Sequence, residues 1–292
     1  MPLSRPELRD RTALVRRVLV GLLVANLAVV GAKLVVGFVS GSLAVLGDAL
    51  HSTVDALNNV VALIVIRVAS KEPDEEHPYG HGKFETLGTL AIVGFLSITC
   101  FELARGAVHR LAGDRVAPML SDLQLTVLAA TLGINVAVAW YENRRGRELA
   151  SDLLVADAAH TRTDVFITVG VLIGMLLGRQ GWWWADPVLA LVIALLIVRV
   201  AYRIFLHAVP VLVDERAIPT STIQGMAESV GGVKSAYGIR SRGGAHVRYA
   251  EVTIAVDRTA NVAAAHAIAD EVEQRLKRDL HMDEVTVHVE PC

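Results

Sequence analysis

The chain has 292 residues, a formal net charge of −2 and 53% hydrophobic residues, with a mean hydropathy of +0.47. Such a hydropathy is high for a soluble enzyme and predicts several membrane spans. The near-neutral charge excludes a generally basic nucleic-acid-binding protein. The two cysteines, Cys100 and Cys292, form neither a disulfide framework nor a CxxC metal motif.

Six apolar stretches are each long enough to cross a bilayer as a helix. Their approximate bounds are 14–41, 43–69, 84–108, 120–141, 151–177 and 182–207. The arginine-rich N-terminus has no small-residue cleavage site after the first stretch, so that stretch is predicted to be a retained span. Lys33 lies late in it and is predicted to reach the membrane interface by snorkelling.

The distribution of basic residues predicts the orientation in the membrane. Arginine and lysine gather in the N-terminus, in the loop 70–83, at 144–147 and just beyond the sixth stretch. With six spans these segments fall on one side of the membrane. The positive-inside rule therefore predicts a multi-pass protein of the inner (plasma) membrane with both termini in the cytoplasm.

Beyond Pro210 the hydropathy falls and a different architecture is predicted. Helical periodicity is seen at 221–230 and 262–280, and alternation typical of strands at 233–240, 246–256 and 284–289. The order αββαβ predicts a small α+β domain with two helices on one face of a three-stranded sheet. The predicted domains are therefore a transmembrane bundle, 1–209, and a cytoplasmic domain, 210–292, whose thin core favours dimerisation.

One pattern, Asp-x-x-His-x-x-x-Asp, occurs twice, in the second and in the fifth apolar stretch. The residues are Asp48, His51 and Asp55 in the first copy and Asp157, His160 and Asp164 in the second. On an α-helix these positions share one face. Ionisable residues inside a membrane are costly and usually functional. Two such helices facing each other therefore predict a metal site within the membrane.

The predicted ligands are the two pairs His51 with Asp55 and His160 with Asp164. Two nitrogen and two oxygen donors suit tetrahedral Zn²⁺. In an empty site the carboxylates would repel each other, and protonation relieves that repulsion, so metal and protons compete for the same ligands. The alternative is that these residues only bridge helices by hydrogen bonds, or hold a fixed metal.

Asp48 and Asp157 each precede a histidine by one helical turn. They either orient the imidazole, as carboxylates beside metal-bound histidines commonly do, or cap and cross-link helices. The residues leave both interpretations open.

These features resemble the cation diffusion facilitator family. The resemblance rests on the six spans, the His-x-x-x-Asp pair in spans two and five, the loop His-Pro-Tyr-Gly-His-Gly-Lys at 77–83 and the αββαβ tail, and it covers nearly the whole chain. It implies a homodimeric exporter, not an enzyme, that moves divalent metal out of the cytoplasm in exchange for protons by alternating access. It also implies a ferredoxin-like, metallochaperone-like tail and no catalytic cofactor, the metal being substrate and regulatory ligand.

The resemblance implies two further features near the polar loop. Asp74, His77 and His81 match the family's loop metal site, although an exposed loop rich in acid and histidine could also be simply solvated. Lys83 and Asp214 match positions where the family forms a charge pair near the dimer interface, the alternative being two unrelated surface charges.

The C-terminal domain departs from zinc-rich members of the family. Tyr237 and Thr253 stand where those members have histidines, and His266, His288 and Glu290 remain at matching positions. A single, weaker metal site that uses these three residues is the resulting expectation.

Imidazole donors favour zinc, with cadmium tolerated, over manganese, which prefers oxygen-rich sites. Export of Fe²⁺, Co²⁺, Ni²⁺ or Mn²⁺ is the alternative within the family. Two other classes are an intramembrane metallohydrolase, for which the chain lacks a His-Glu-x-x-His motif, and a non-transporting metal-sensing scaffold.

Overall fold

The computed structural model of the chain describes residues 5–40, 43–113, 122–244 and 247–292. Within these ranges the N-terminal part is built from six long helices. They are α1 (Arg5–Ser40), α2 (Leu43–Ala69), α3 (Lys83–Ala112), α4 (Asp122–Glu148), α5 (Asp152–Arg179) and α6 (Ala185–Leu212). Each has at least 27 residues, which at a rise of about 1.5 Å per residue exceeds the roughly 30 Å of a bilayer's hydrocarbon core.

Among the described residues, four helices are apolar and long enough to qualify as membrane spans by composition alone, namely α1, α3, α4 and α6. The other two, α2 and α5, have comparable lengths of 27 and 28 residues and carry the repeated acidic and histidine pattern. The ionisable side chains of α2 and α5 are expected to face the interior of a membrane bundle.

All six helices contribute to one apolar core. Fully buried members include Leu19 of α1, Ile66 of α2, Leu96 of α3, Leu154 of α5 and Ile197 of α6, with Val138 of α4 packed against them. Large apolar side chains also cover the outside of the bundle. Examples are Phe38, Phe101 and Leu195, which are 72%, 66% and 69% exposed. An apolar exterior of this kind suits a surface in contact with lipid.

The fourth helix is longer than the sequence predicted. The apolar stretch ends near residue 141, but α4 continues to Glu148 and includes the basic cluster. Arg144 Nε and Arg145 Nη1 donate to Glu148 at 2.9 and 2.7 Å, and such pairs one turn apart support a helix beyond its apolar part. The helix then ends before Ala150, whose φ is +45°.

The C-terminal part has the predicted αββαβ order. Its elements are α7 (Thr220–Glu228), β1 (Val233–Gly243), β2 (Arg248–Val256), α8 (Val262–Asp279) and β3 (Glu284–Pro291). The sheet order is β1-β2-β3, with β1 antiparallel and β3 parallel to β2. A parallel pair needs a crossover connection, which α8 provides after Asn261 caps its first turn by accepting from the backbone N–H of Ala264.

Residues from α7, α8 and the sheet form a separate core, with Ile223, Ile254, Val272 and Leu276 fully buried. The chain divides between Ala208 and Val209 into two compact units, one covering Arg9–Ala208 and the other containing Val209–Cys292. The small α+β unit thus has its own hydrophobic core.

Candidate metal centres

Side chains of α2 and α5 converge inside the helical part of the protein. Asp55 comes from α2, while His160 and Asp164 come from α5, and one ligand atom of each lies within 4.8 Å of the others. His160 and Asp164 share a face of α5 because four residues make about one helical turn. His160 Nε2 lies 3.6 Å from Asp55 Oδ1. An imidazole and two carboxylates in this arrangement suit a divalent cation.

The Nε2 atom of His160 is buried and lies beside polar groups of α2. The residue is 8% exposed, and the side-chain amide nitrogen of Asn58 lies 3.4 Å from Nε2. An amide donor at this distance would occupy the Nε2 lone pair, so a metal ion bound by Nε2 replaces this contact. Asn58 follows Asp55 by three residues and therefore lies on the same face of α2. Sequence reasoning missed it, although this spacing was a readable signal.

His51 lies on α2 one turn before Asp55. Its side chain is outside the described residues, as is that of Asp48, so their parts in the site stay predictions. Asp157 is described and is 3% exposed. Neither its Oδ2 nor Nδ1 of His160 has a hydrogen-bond partner within the described part of the chain. An orienting role of Asp157 toward His160 therefore also stays a prediction.

A cavity of about 180 Å³ adjoins the site and is lined by α1, α2, α4 and α5. Asp55 and Asp164 lie in its wall together with Lys33 of α1. The expectation that Lys33 snorkels to the membrane interface was wrong. Lys33 is 4% exposed, and its Nζ donates to Ser52 Oγ at 2.8 Å. Ser52 accepts one hydrogen bond from the ammonium inside the bundle. The sequence alone shows only a charged residue in an apolar stretch.

Glu142 of α4 is a second buried group that sequence reasoning missed. It is 1% exposed, and its Oε2 accepts a hydrogen bond from Thr161 Oγ1 at 3.0 Å. Glu142 lies two turns after Asn135, which lines the cavity. The seven-residue spacing places both on one face of α4 and was the available signal.

The loop between α2 and α3 brings Asp74, His77 and His81 together, with one ligand atom of each within 4.8 Å of the others. His77 Nδ1 lies 3.1 Å and His81 Nε2 3.4 Å from the Asp74 carboxylate. The two imidazole rings are 4.2 Å apart, and both contact the ring of Phe84. The loop therefore presents a carboxylate and two imidazoles at one point, a set suited to zinc.

Local hydrogen bonding prepares this loop for a cation. The backbone N–H of His77 donates to Asp74 Oδ1 at 2.7 Å, and this bond lowers the pKa of the Asp74 carboxyl below its usual value. The lowered pKa keeps the Asp74 carboxylate ionised to a lower pH than usual. His81 is 4% exposed, and its Nδ1 has no partner among the described residues.

The predicted C-terminal ligands lie on two elements. His288 Nε2 is 3.5 Å from Glu290 on β3, whereas His266 lies on α8, 3.6 Å from Asp270. In the described ranges the three predicted ligands do not form a group within 4.8 Å. Tyr237 donates its hydroxyl to Glu290, and this bond raises the pKa of Tyr237. Tyrosine thus engages Oε2 of Glu290, whereas His288 lies beside Oε1 of the same carboxylate, and the site stays a prediction.

Asp214 and Lys83, the predicted charge pair, belong to different compact units. Asp214 has a φ of +54° and pairs with Arg242 Nη1 at 3.5 Å within its own unit. The Arg242 guanidinium also lies over the ring of Tyr249. Lys83 is the first residue of α3. The interlock between Lys83 and Asp214 stays a prediction.

Two family models together match nearly the whole chain. The cation efflux transmembrane domain matches residues 19–213, and the cytoplasmic domain of cation efflux proteins matches residues 218–292. A solved structure of MamM-CTD is 26% identical and covers 25% of this chain and 92% of that chain, with a TM-score of 0.24.

Relatives come from plants and bacteria. Metal tolerance protein C1 of Arabidopsis thaliana is 31% identical over 92% of this chain, which spans 61% of that protein's length. The manganese efflux system protein MneS of Bacillus subtilis is 29% identical, covering 91% of this chain and 92% of that one. The cation-efflux pump FieF of Serratia proteamaculans is 30% identical, and the match covers 89% of this chain and 87% of that one.

The helical bundle, its polar centre and these matches define a multi-pass membrane transporter of metal cations. The chain belongs to the cation efflux family, also known as the cation diffusion facilitator family, and the resemblance seen in the sequence is confirmed. Members of this family are metal transporters and not enzymes, so an intramembrane metallohydrolase is no longer a competing interpretation.

Proposed function

We propose that the protein exports Zn²⁺ from the cytoplasm in exchange for protons, with the ion bound between α2 and α5 by His51, Asp55, His160 and Asp164. The observation that carries the proposal is the convergence of an imidazole and two carboxylates from two helices within 4.8 Å. His51, one turn before Asp55, completes a tetrahedral set of two nitrogen and two oxygen donors.

The donor set supports zinc as the substrate. Two imidazoles and two carboxylates are softer than the oxygen-rich sites that manganese prefers. Manganese is the second candidate, because the relative MneS is named as a manganese efflux protein. Cadmium, iron, cobalt and nickel also accept such ligands.

Competition between metal and protons supports the proposed exchange. The Asp55 and Asp164 carboxylates neutralise a divalent ion in low dielectric, but repel each other once the ion leaves. Protons taken up by the ligands relieve this repulsion and are released when the next metal ion binds. Opening of the centre alternately to each side of the membrane would then convert a proton gradient into metal export.

The working unit is proposed to be a homodimer in the inner (plasma) membrane, with both termini in the cytoplasm. The matched C-terminal family model supports dimerisation, and the basic residues around Arg144 and Arg145 support the orientation. The loop centre at Asp74 and the C-terminal histidines are proposed as regulatory metal sites. No catalytic cofactor is proposed.

Metal flux in proteoliposomes tests the proposal. The purified protein should move Zn²⁺ in the direction opposite to an imposed proton gradient, and Asp55→Ala should abolish this flux. A mixture of Zn²⁺, Mn²⁺ and Fe²⁺ at equal activities identifies the preferred substrate. Zinc flux indifferent to the pH gradient would refute proton exchange, and uptake of only Mn²⁺ or Fe²⁺ would refute the choice of zinc.

A further inference from the structure

Lys33 holds a positive charge inside the membrane part of the protein. The residue is 4% exposed, and its Nζ donates to Ser52 Oγ at 2.8 Å. Removing an ammonium group from water is costly unless nearby groups compensate for its charge. A hydroxyl oxygen satisfies one of its N–H groups but supplies no negative charge.

The negative charges lie in the wall of the same cavity. Among the residues described as lining it, the ionisable ones are Lys33, Asp55 and Asp164. Ser52 precedes Asp55 by three residues on α2, so the two share a face and differ in height by about 4.5 Å. The hydrogen bond to Ser52 therefore anchors the ammonium in the wall of the cavity that Asp55 and Asp164 also line.

This arrangement gives the site two electrostatic states. When the site is empty, the ammonium offsets part of the repulsion between the two carboxylates. When a divalent ion is bound, the same ammonium repels it across a medium of lower dielectric than water. A transport site has to bind its ion firmly enough to admit it and weakly enough to release it.

We propose that Lys33 is a fixed internal counter-ion of the transport site, which lowers its affinity for divalent metal and thereby permits release. The role belongs to the lysine charge and not to its hydrogen bond alone. The proposal rests on the proposed transport function, because it assumes that Asp55 and Asp164 bind the transported ion.

The test measures Zn²⁺ binding and Zn²⁺ flux for the full-length protein in nanodiscs and proteoliposomes. Zn²⁺ binding at the transport site is defined as the part of the total Zn²⁺ binding that is lost in Asp55→Ala. Lys33→Met and Lys33→Gln remove the charge, Lys33→Arg keeps it, and Lys234→Met removes an exposed lysine of the C-terminal domain as control. Thermal unfolding shows which variants are folded. One folded neutral variant, Lys33→Met or Lys33→Gln, is enough for the test.

The neutral variants should bind Zn²⁺ at the Asp55-dependent site about tenfold more tightly or better, and should transport it more slowly because release is hindered. Lys33→Arg should stay closer to the wild-type affinity, and Lys234→Met should match it. Unchanged or weaker Asp55-dependent affinity in a folded neutral variant would overturn the role of Lys33 alone. Absence of Asp55-dependent binding in the wild-type protein would overturn the proposed transport site as well.

Discussion

Arg11 of α1 and Glu85 of α3 form a buried ion pair with two parallel hydrogen bonds. Arg11 Nη1 and Nη2 donate to the two carboxylate oxygens at 3.1 and 3.0 Å, and the side chains are 9% and 14% exposed. Arg11 also donates to the backbone carbonyls of Leu149 and Ala150 at 2.7 and 3.1 Å. Ser151 Oγ donates to Glu85 at 2.6 Å. One ion pair therefore ties α1, α3 and the link between α4 and α5 together.

Glu85→Gln should destabilise the helical part strongly. The substitution leaves the Arg11 guanidinium buried without its counter-charge, and breaking such a pair costs about 3–5 kcal/mol. Thermal unfolding of the purified protein in detergent measures the loss. Glu148→Gln is the matched control, because Glu148 pairs with Arg144 and Arg145 at the surface and exposed pairs contribute little to stability. Equal melting temperatures for the two variants would contradict this expectation.

Asp55→Asn should abolish metal binding at the transport site while leaving the protein folded. Asn keeps the shape of the side chain but removes one of the charges that neutralise the ion. Calorimetric titration with Zn²⁺ should lose one class of site per chain. Arg162→Gln is the control on α5, since Arg162 is exposed and its Nη2 lies 3.5 Å from the side-chain oxygen of Asn143. Retention of all sites in Asp55→Asn would show that the converging ligands do not bind the ion.

The grouping of Asp55, His160 and Asp164 and the helix order could be predicted because strong periodic patterns indicate them. The second apolar stretch and α2 have the same bounds, 43–69, and the convergence of Asp55 with His160 and Asp164 needs only that two polar helix faces meet. The αββαβ order was predicted from the spacing of apolar residues, which changes between the helical period and the alternation of strands. These signals are local, so one sequence is enough to read them.

Tertiary partners could not be predicted in the same way. Glu142 follows the apolar stretch beside a basic cluster and resembles a solvated helix end, but it is buried because α4 continues and turns that face toward Thr161. Lys33 donates to Ser52, which lies 19 residues away on the next helix. Arg11 belongs to the arginine-rich N-terminus, and its partners lie 74 and 138 residues away.

Gly88→Ala should loosen the contact of α3 with α2 and α5. A Cβ atom at this position would lie 2.5 Å from Val65 Cγ1 and 3.2 Å from Leu153 Cδ1. Overpacking of this kind costs about 1–3 kcal/mol, which thermal unfolding can detect. Gly94→Ala, on the same helix, should have little effect because nothing lies within 4 Å of its Cβ position. An unchanged melting temperature for Gly88→Ala would show that the contact of α3 with α2 and α5 accommodates the added methyl group without loss of stability.

Tyr237→Phe should strengthen metal binding by the C-terminal domain. The Tyr237 hydroxyl donates to Glu290, and this bond raises the pKa of Tyr237 above its ordinary value. Removing the hydroxyl leaves Glu290 available beside His288, which lies 3.5 Å away. Zn²⁺ titration in an Asp55→Ala background, where the transport site is removed, should show a gain of up to about tenfold. Glu290→Gln in the same background should cancel it, and an affinity that Tyr237→Phe leaves unchanged would exclude Glu290 as a ligand.

His51→Asp should preserve transport and shift its metal preference toward harder ions. The change replaces a nitrogen donor by an oxygen donor on the face of α2 that carries Asp55, and oxygen-rich sites favour manganese over zinc. Flux of Zn²⁺ and Mn²⁺, measured in competition in proteoliposomes, gives the selectivity ratio for the variant and the wild type. The ratio should fall in favour of Mn²⁺ by about tenfold or more, whereas Arg162→Gln should leave it unchanged. If His51→Asp kept the zinc selectivity of the wild type, the softness of the donor at position 51 would not determine metal selectivity.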